Sequence, residues 1–390
     1  MAISDKSTIT FTGDIGFDKY MKDKWADESL LSPAVLDFVK DTNHLVVNVE
    51  GPLSEGEKQI KEGAVVSLTH SMDPEAVTFL NRIGADIWNI CNNHIMDAGP
   101  KGIEDTILLA EQNHAITLGA GMNLQEAARP VIINEAGGIG IIGVGYQRAC
   151  RKAGEDTPGC LSWSDMDTIR AAIADIKKRC RWCIVSAHGG EEFTALPMPY
   201  TRDRYLEYLN MGADIVVGHH PHVPMNYETV GDKVIFYSLG NFVFDTDYQR
   251  SQYNTEYGII IKLRFDETGF SHEPFGIRIN RETEKIEEYE LPAIYTDVCE
   301  AEYNKLKSLA AKMFIENTKR QLRYLKPEQF KDATEQDYID NFYEPLRSGR
   351  VPGEVLDMQI VYPLSKEWEK GEWRESALES VREFMLRQIP

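Results

Sequence analysis

Three histidines lie within four positions of the segment VVGHHPHVP, directly after an apolar run. They are His219, His220 and His222, one third of the nine histidines in the chain. Neutral imidazole nitrogens are common ligands of divalent metals. Residues two apart on an extended segment face the same side. We therefore expect His220 and His222 to bind a metal, while His219 faces away and packs or contacts substrate. Pro221 fixes φ between the pair and stiffens it.

Other polar side chains lie in or directly after apolar runs. They are Asp14, Asn48, Glu50, Asn92, Asn93, His94, His188, Glu192 and Asn241. In open α/β sheets, ligands bind outside the carboxyl ends of strands, where loops distant in sequence lie side by side. Oxygen and nitrogen ligands without thiolates suit Zn²⁺, Mn²⁺ or Fe²⁺. Any one of these residues could instead form a turn or a buried hydrogen bond, but their recurrence predicts a divalent-metal site.

Alternating strand and helix patterns predict an α/β layered fold. Short apolar runs predict strands at Ile9–Thr12, His44–Val49, Asp86–Cys91, Ile139–Val144, Trp182–Ala187, Asp214–Val217 and Val234–Tyr237. Amphipathic patterns predict helices near Pro74–Ile83, Pro100–Gln112, Ser164–Lys178 and Tyr200–Met211. Three later stretches predict antiparallel strands that complete the sheet, at Tyr257–Phe265, Phe275–Ile279 and Lys285–Leu291.

The C-terminal part of the chain predicts helices instead of strands. Amphipathic patterns cover Asp297 to about Leu325 and then Leu364–Ile389, and prolines punctuate the segment between them. We therefore divide the chain into a layered domain over residues 1–294 and a helical C-terminal extension over residues 295–390, packed on that domain.

Charge and hydropathy exclude several classes of partner. The formal net charge of −20 disfavours nucleic acids and anionic membrane surfaces, because both need a basic footprint. No apolar run reaches the ~18–20 residues that cross a bilayer. The first residues also lack the pattern of a signal peptide. We expect a cytoplasmic protein without a membrane segment, or an extracytoplasmic one if a leader precedes the printed residues.

Among the six cysteines, only Cys180 and Cys183 are closely spaced. A CxxC pair indicates a redox or zinc site in some proteins. Here the second cysteine begins an apolar run, so we interpret both as reduced structural residues.

A series of motifs resembles a known family. The motifs are, in chain order, TGDIGF, VNVEGPL, NICNNHIMDAGPKGIEDT, GAGMN, AHGGEEF, GADIVVGHHPHVP and YSLGNFVFD. They resemble the CapA family, named for poly-γ-glutamate capsule synthesis, over roughly residues 8–247. That family is similar in fold to the calcineurin-like metallophosphatases. The resemblance implies a four-layer α/β/β/α sandwich with a metal site at the strand ends.

The resemblance also implies roles for individual residues. By motif, the metal ligands are Asp14, Glu50, Asn93, His188, His220 and His222. Glu50 stands where those phosphatases carry a bridging aspartate. His94 matches the histidine that assists the leaving group, and Glu192 is a further candidate acid or base. The candidates that orient ligands or contact substrate are Asn48, Asn92, Asp97, His219, Asn241 and Asp245.

One departure from the phosphatase pattern affects the metal count. Classical members begin with Asp-x-His, whereas Gly16 follows Asp14 by two residues, so one metal position lacks a ligand. The tight position then has Glu50, Asn93, His188 and His220. The weaker position keeps Asp14, Glu50 and His222, completed by water or Asp245. We predict one tight divalent metal (Mn, Zn or Fe) and a second that is loose or absent.

Three functions fit this site. The first is a metal-dependent hydrolase that acts on a phosphoester or a peptide-like substrate, such as a poly-γ-glutamyl chain, through activated water. The second is a metal-dependent peptide epimerase, in which His94 or Glu192 moves an α-proton. The third is a non-catalytic accessory protein of capsule synthesis. A small-molecule or peptide-like substrate is the expected partner, and the oligomeric state stays open.

Overall fold

The computed structural model describes residues 6–56, 69–145, 152–293, 295–325, 327–338 and 340. The strands are β1 (Ser7–Gly16), β2 (His44–Val49), β3 (Ile87–Asn89), β4 (Ile116–Leu118), β5 (Ala120–Gly121), β6 (Val131–Ile133), β7 (Ile139–Gly145), β8 (Gly159–Cys160), β9 (Trp182–His188), β10 (Ile215–His219), β11 (Tyr227–Val230), β12 (Lys233–Phe236), β13 (Asn241–Phe244), β14 (Tyr257–Phe265), β15 (Phe270–Asn280) and β16 (Lys285–Glu288).

Helices connect most of these strands. The α-helices are α1 (Pro33–Lys40), α2 (Val77–Ile83), α3 (Gly99–Gln112), α4 (Leu124–Ala127), α5 (Met166–Arg179), α6 (Pro199–Met211), α7 (Asp247–Arg250), α8 (Glu300–Leu325), α9 (Pro327–Phe330) and α10 (Glu335–Tyr338). Short 3₁₀ helices cover Lys19–Met21, Lys24–Ala26 and Pro74–Ala76.

The strands form two large sheets. The first has the order β16-β15-β14-β1-β2-β3-β4, and β13 pairs with the end of β1. The second has the order β11-β12-β10-β9-β7-β6. The central strands of each sheet are parallel, so their carboxyl ends lie along one edge. That edge is where ligands bind in open α/β sheets.

Three hydrophobic layers hold the sheets and helices together. Between the two sheets, Phe11 of the first packs with Ile184 and Val217 of the second. The outer face of the first sheet is covered by α1, α2 and α3. The outer face of the second sheet is covered by α5 and α6. The order is therefore α/β/β/α, which confirms the predicted four-layer sandwich. Parallel strands buried on both faces read as continuous apolar runs, which is why the sequence revealed them.

The elements missed in the sequence are short or lie at edges. Strands β4 and β6 have three residues each, too few to show a period. Helix α1 was also missed, although Ser32 caps it by accepting from Val35 N and Pro33 stands at its first position. The predicted strand Phe275–Ile279 extends to Phe270–Asn280, because it pairs along the full length of β14.

Helix α8 begins three residues after the predicted start at Asp297 and ends at the predicted Leu325. It packs against the loop before α6, where Tyr303 Oη donates to Pro197 O at 2.7 Å and the Asn317 amide donates to Phe193 O. The predicted helix Leu364–Ile389 lies outside the described residues. The division at residue 294 stays a prediction. Within the described ranges, no helix combines the length and apolarity that a bilayer crossing requires.

The cysteines of the described residues are free thiols. Cys180 and Cys183 are both buried, and burial raises the pKa of the Cys183 thiol to about 12. A thiol with a raised pKa is a poor nucleophile and metal ligand, as expected for a structural residue.

Close backbone packing at the end of β1 gives a stability prediction. A Cβ atom on Gly13 would lie 2.1 Å from the carbonyl oxygen of Gly240, and that oxygen accepts from Asp14 N at 2.9 Å. We expect Gly13→Ala to lower the free energy of unfolding by about 3 kcal/mol, because the backbone cannot move away without losing this bond. Gly269→Ala is the control, since its added Cβ meets no atom within 4 Å. Urea denaturation of both variants checks this, and equal stabilities would contradict it.

Candidate metal centre

Strand register places the polar side chains beside one another. In the first sheet, Asp14 is paired with Asn48 on β2 and with Asn241 on β13. In the second sheet, His219 at the end of β10 is paired with His188 at the end of β9. Because the two sheets pack face to face, these ends converge. Side chains that are up to some two hundred positions apart therefore contact, as in the 3.4 Å approach of His219 Nδ1 to Asp14 Oδ1.

Two overlapping groups of buried side chains could each hold a metal ion. One group is Glu50, His188 and His220, and the other is Asp14, Glu50 and His222. Within each group, one ligand atom per residue lies within 4.8 Å of the others. The same Glu50 oxygen, Oε1, lies 3.7 Å from His188 Nε2 and 3.5 Å from His222 Nε2. Glu50 is thus common to both groups, as a bridging carboxylate would be.

The environment of the Glu50 carboxylate indicates whether the two ligand groups suit a divalent cation. Glu50 is completely buried, and neither of its oxygens accepts a hydrogen bond from the residues that the structure describes. Burial raises the pKa of Glu50 well above its usual range, even though the imidazole of His222 opposes the shift. A buried carboxylate without donors is costly, and a divalent cation removes that cost. The donor set therefore fits a divalent metal site.

The electrostatics of the two groups differ. Burial, and then the charge of His220, lower the pKa of His188 well below its usual range, so His188 presents the neutral form that binds metals. Burial alone would also lower the pKa of His222, but Glu50 and Asp14 raise it to about 10. Burial would raise the pKa of Asp14, but the imidazoles of His219 and His222, whose Nδ1 atoms lie 3.4 and 3.3 Å from its oxygens, hold it far below normal.

Asparagine side chains contact several of the candidate ligands. Asn93 Oδ1 lies 2.7 Å from His188 Nε2, so both atoms face the first group. Asn48 Nδ2 donates to Asp14 Oδ1 at 2.8 Å and lies 3.2 Å from His188 Nδ1. Asn89 Nδ2 in turn donates to Asn48 Oδ1 at 3.0 Å. Asn89 was not among the residues predicted from the sequence, although an asparagine inside an apolar strand was a signal for it.

The expected orientation of the three neighbouring histidines was wrong. Strand β10 ends at His219, and φ is 95° at His220 and 57° at His222. This left-handed backbone is strained for non-glycine residues and removes the alternation of an extended segment. His220 and His222 therefore belong to different groups, with ring centroids 6.1 Å apart. His219 does not face away, since its Nδ1 approaches Asp14.

The loop after β3 combines two roles. Asn92 Nδ2 donates to Val49 O at 2.7 Å, and its Oδ1 accepts from Gly51 N at 3.2 Å, so Asn92 fixes the backbone on both sides of Glu50. His94 Nδ1 lies 2.7 Å from Asp97 Oδ2, a carboxylate–imidazole pair that fixes the tautomer of the ring.

A second imidazole–carboxylate pair lies beside this one and was missed. His70 Nδ1 lies 3.2 Å from Asp18 Oδ2, and the His70 ring packs edge to face on His94 with centroids 4.2 Å apart. The signal was weak, because His70 follows no predicted strand. Its backbone N–H donates to Asp97 Oδ2 at 2.8 Å, so Asp97 supports both rings.

Two further candidates lie at the edge of the groups. Glu192 Oε1 is 4.0 Å from His220 Nε2, and the next residue, Phe193, stacks on the ring of His222 at 5.9 Å. Asn241 Oδ1 lies 3.0 Å from His222 Nδ1, and its Nδ2 donates to Thr255 O at 2.8 Å. Both are placed to orient histidines of the cluster.

Of the two expected ways to complete the second group, water or Asp245, the contacts do not favour Asp245. Its two oxygens pair with Arg250 at 2.6 Å and with Arg281 at 3.3 Å, so the carboxylate neutralises guanidiniums instead. At Gly16, where the phosphatase pattern has a histidine, a Cβ atom would lie 2.7 Å from the ring of Phe244. An aromatic ring therefore occupies the space of the absent ligand.

Comparisons with known proteins give matches to several sequences and to a solved structure. A sequence model described as "Bacterial capsule synthesis protein PGA_cap" matches residues 8–246. The capsule biosynthesis protein CapA of Bacillus anthracis is 29% identical over 258 residues, covering 64% of this chain and 62% of that protein. The PGA biosynthesis protein CapA of Bacillus subtilis (strain 168) is 32% identical over 256 residues, covering 64% of this chain and 66% of that protein. The match thus spans less than two thirds of each relative's length.

A solved structure also aligns with the chain. It is the putative 5'-nucleotidase of Staphylococcus aureus in complex with alpha-ketoglutarate, at 15% identity and a TM-score of 0.43. The alignment covers 78% of this chain and 58% of that one.

Proposed function

The chain belongs to the PGA_cap family of bacterial capsule synthesis proteins, as the resemblance to CapA implied, and on this premise we propose a metal-dependent hydrolase. Its substrate is a phosphoester or a peptide-like molecule such as a γ-glutamyl chain. One observation supports this most strongly: Glu50 is fully buried, accepts no hydrogen bond within the described part of the chain and is common to two ligand groups. The predicted cytoplasmic location stays a prediction.

The first group is the tighter metal position in this proposal. Glu50, His188 and His220 would hold the ion, with Asn93 as a fourth ligand because its Oδ1 lies 2.7 Å from His188 Nε2. Asp14, Glu50 and His222 would hold a weaker ion, since Phe244 fills the space beside Gly16. Mn²⁺, Zn²⁺ and Fe²⁺ all suit this mixture of imidazole and oxygen ligands.

In this proposal, different side chains of the protein have different roles in the reaction. A bound divalent cation acts as a Lewis acid and makes water acidic enough to attack near neutral pH. His94, held by Asp97, follows Asn93 in the chain and would exchange a proton with the leaving group. Glu192, 4.0 Å from His220, is placed to orient that ligand or to contact substrate. Asn48 and Asn241 keep the ligand side chains in position.

A panel of assays tests the proposal. Metal-stripped protein is reloaded with Mn²⁺, Zn²⁺ or Fe²⁺ and incubated with p-nitrophenyl phosphate, bis(p-nitrophenyl) phosphate and γ-glutamyl peptides. We expect metal-dependent cleavage of at least one class. Deuterium uptake at an α-carbon in D₂O without cleavage would identify the epimerase instead. Bound metal with no turnover would favour the accessory role, and absence of a stoichiometric ion would contradict every metal-dependent function.

A further inference from the structure

His70 packs on His94, the residue that follows the candidate ligand Asn93 in the chain. The segment around His70 runs along the residues that follow Glu50, since Met72 N donates to Pro52 O at 2.8 Å. Gly51, with φ of 105°, permits this approach, because a Cβ there would lie only 3.3 Å from His70 Cβ. The ring also packs on Phe244, with centroids 4.8 Å apart.

The hydrogen bond to Asp18 defines which nitrogen of His70 is available. A carboxylate only accepts, so Nδ1 of His70 carries the proton and Nε2 has a lone pair. Nε2 has no hydrogen-bond partner within the described ranges, and it is not among their fully enclosed polar atoms. The residue as a whole is only 6% exposed. Burial, and then the charge of His94, lower the pKa of His70 to about 4, so the ring stays neutral.

The surroundings of His70 favour a substrate group that donates hydrogen bonds. Asp18, the partner of His70, also lines a cavity of about 310 Å³. The charged side chains of this cavity are the carboxylates of Asp18, Glu55 and Asp73 and the ammonium of Lys22. Like charges repel, so these carboxylates disfavour a phosphate dianion near Asp18, whereas they do not repel a neutral amide N–H.

We propose that His70 is a specificity-determining residue that accepts a hydrogen bond from an amide N–H of the substrate beside the scissile bond. This inference rests on the proposed hydrolase and narrows its substrate to the peptide-like class. His94 serves the leaving group in this arrangement, while the neighbouring His70 selects a substrate that carries a donor. A site built to pair with a polar group rejects analogues without it, because the buried partner is then left unsatisfied.

A two-by-two comparison tests the role of His70. The parent and His70→Leu are assayed on a γ-glutamyl dipeptide and on its ester analogue, in which oxygen replaces the amide N–H. We expect His70→Leu to lower kcat/KM for the amide by about 10- to 100-fold and to change the ester by less than about 3-fold. His70→Gln, whose amide oxygen can accept the same bond, is expected to recover most of the loss.

Separate outcomes distinguish the two proposals. Equal losses on amide and ester would reduce His70 to a structural role and overturn the inference, leaving the hydrolase intact. A parent that cleaves only phosphoesters would also overturn the inference about His70 and leave the hydrolase proposal intact. A parent that cleaves nothing defeats both proposals. Independently of turnover, ¹⁵N NMR of histidine-labelled protein at pH 7, assigned with His70→Gln, should show Nε2 unprotonated, and a proton on Nε2 would overturn the inference.

Discussion

Replacement of Glu50 by glutamine is expected to abolish tight metal binding at both positions and to lower any hydrolytic activity by about 10³-fold or more. Glu50 is the one residue common to the two ligand groups, and its Oε1 faces His188 and His222 at 3.7 and 3.5 Å. Glutamine has nearly the same shape but no charge. Elemental analysis after dialysis and isothermal titration with Mn²⁺ or Zn²⁺ measure the loss.

Glu50→Gln is also expected to change the thermal stability of the protein, in opposite ways without and with metal. In metal-free protein no described residue donates a hydrogen bond to the buried carboxylate of Glu50, and burying a charge in this way costs more free energy than burying a neutral amide. We therefore expect Glu50→Gln to melt at the same or a higher temperature than the parent in EDTA. The parent gains stability when metal is added, because the ion binds only the folded state, and the variant should not.

The control for this experiment is Glu28→Gln, at an exposed position. It should retain the metal content, the activity and the metal-induced rise in melting temperature of the parent. A Glu50→Gln protein that still carries a stoichiometric ion, or that melts far below the parent in EDTA, would contradict the bridging role.

The second prediction with a large effect compares variants of His220 and His222, which belong to different candidate metal positions. We expect His220→Ala to lose the tight ion and to reduce activity by about 10³-fold, with little loss of fold. His222→Ala should keep one ion, because Glu50, His188 and His220 remain with Asn93 nearby. The weaker position depends on His222 and Asp14, and Phe244 excludes a further ligand there.

Metal stoichiometry and affinity check this order. Equilibrium dialysis with elemental analysis should give less than one ion per chain for His220→Ala and about one for His222→Ala, consistent with a single filled four-ligand position. His114→Asn, at an exposed position with φ of 61° that asparagine tolerates, serves as a histidine-loss control. Loss of the tight ion from His222→Ala with retention in His220→Ala would reverse the assignment.

The sequence by itself determined the layered fold and the edge that carries the site. Apolar runs such as His44–Val49 and Trp182–Ala187 are visible because strands buried on both faces need continuous apolar residues. Polar residues at their ends, such as Glu50 and His188, must then lie along one edge, because parallel strands share their direction. These patterns are local, so the order of residues in the sequence is enough to predict them.

Only the tertiary structure decided which of those side chains belong to each of the two candidate ligand groups. The left-handed backbone at His220 and His222 sends neighbouring rings to different groups, and Asp245 faces Arg250 and Arg281 instead of the cluster. His70 lies close to Gly51 and packs on His94, and no periodic pattern in the sequence indicates these contacts. The physical reason is that side-chain direction beyond a strand end depends on loop backbone angles and on partners distant in sequence, and neither is fixed by neighbouring residues alone.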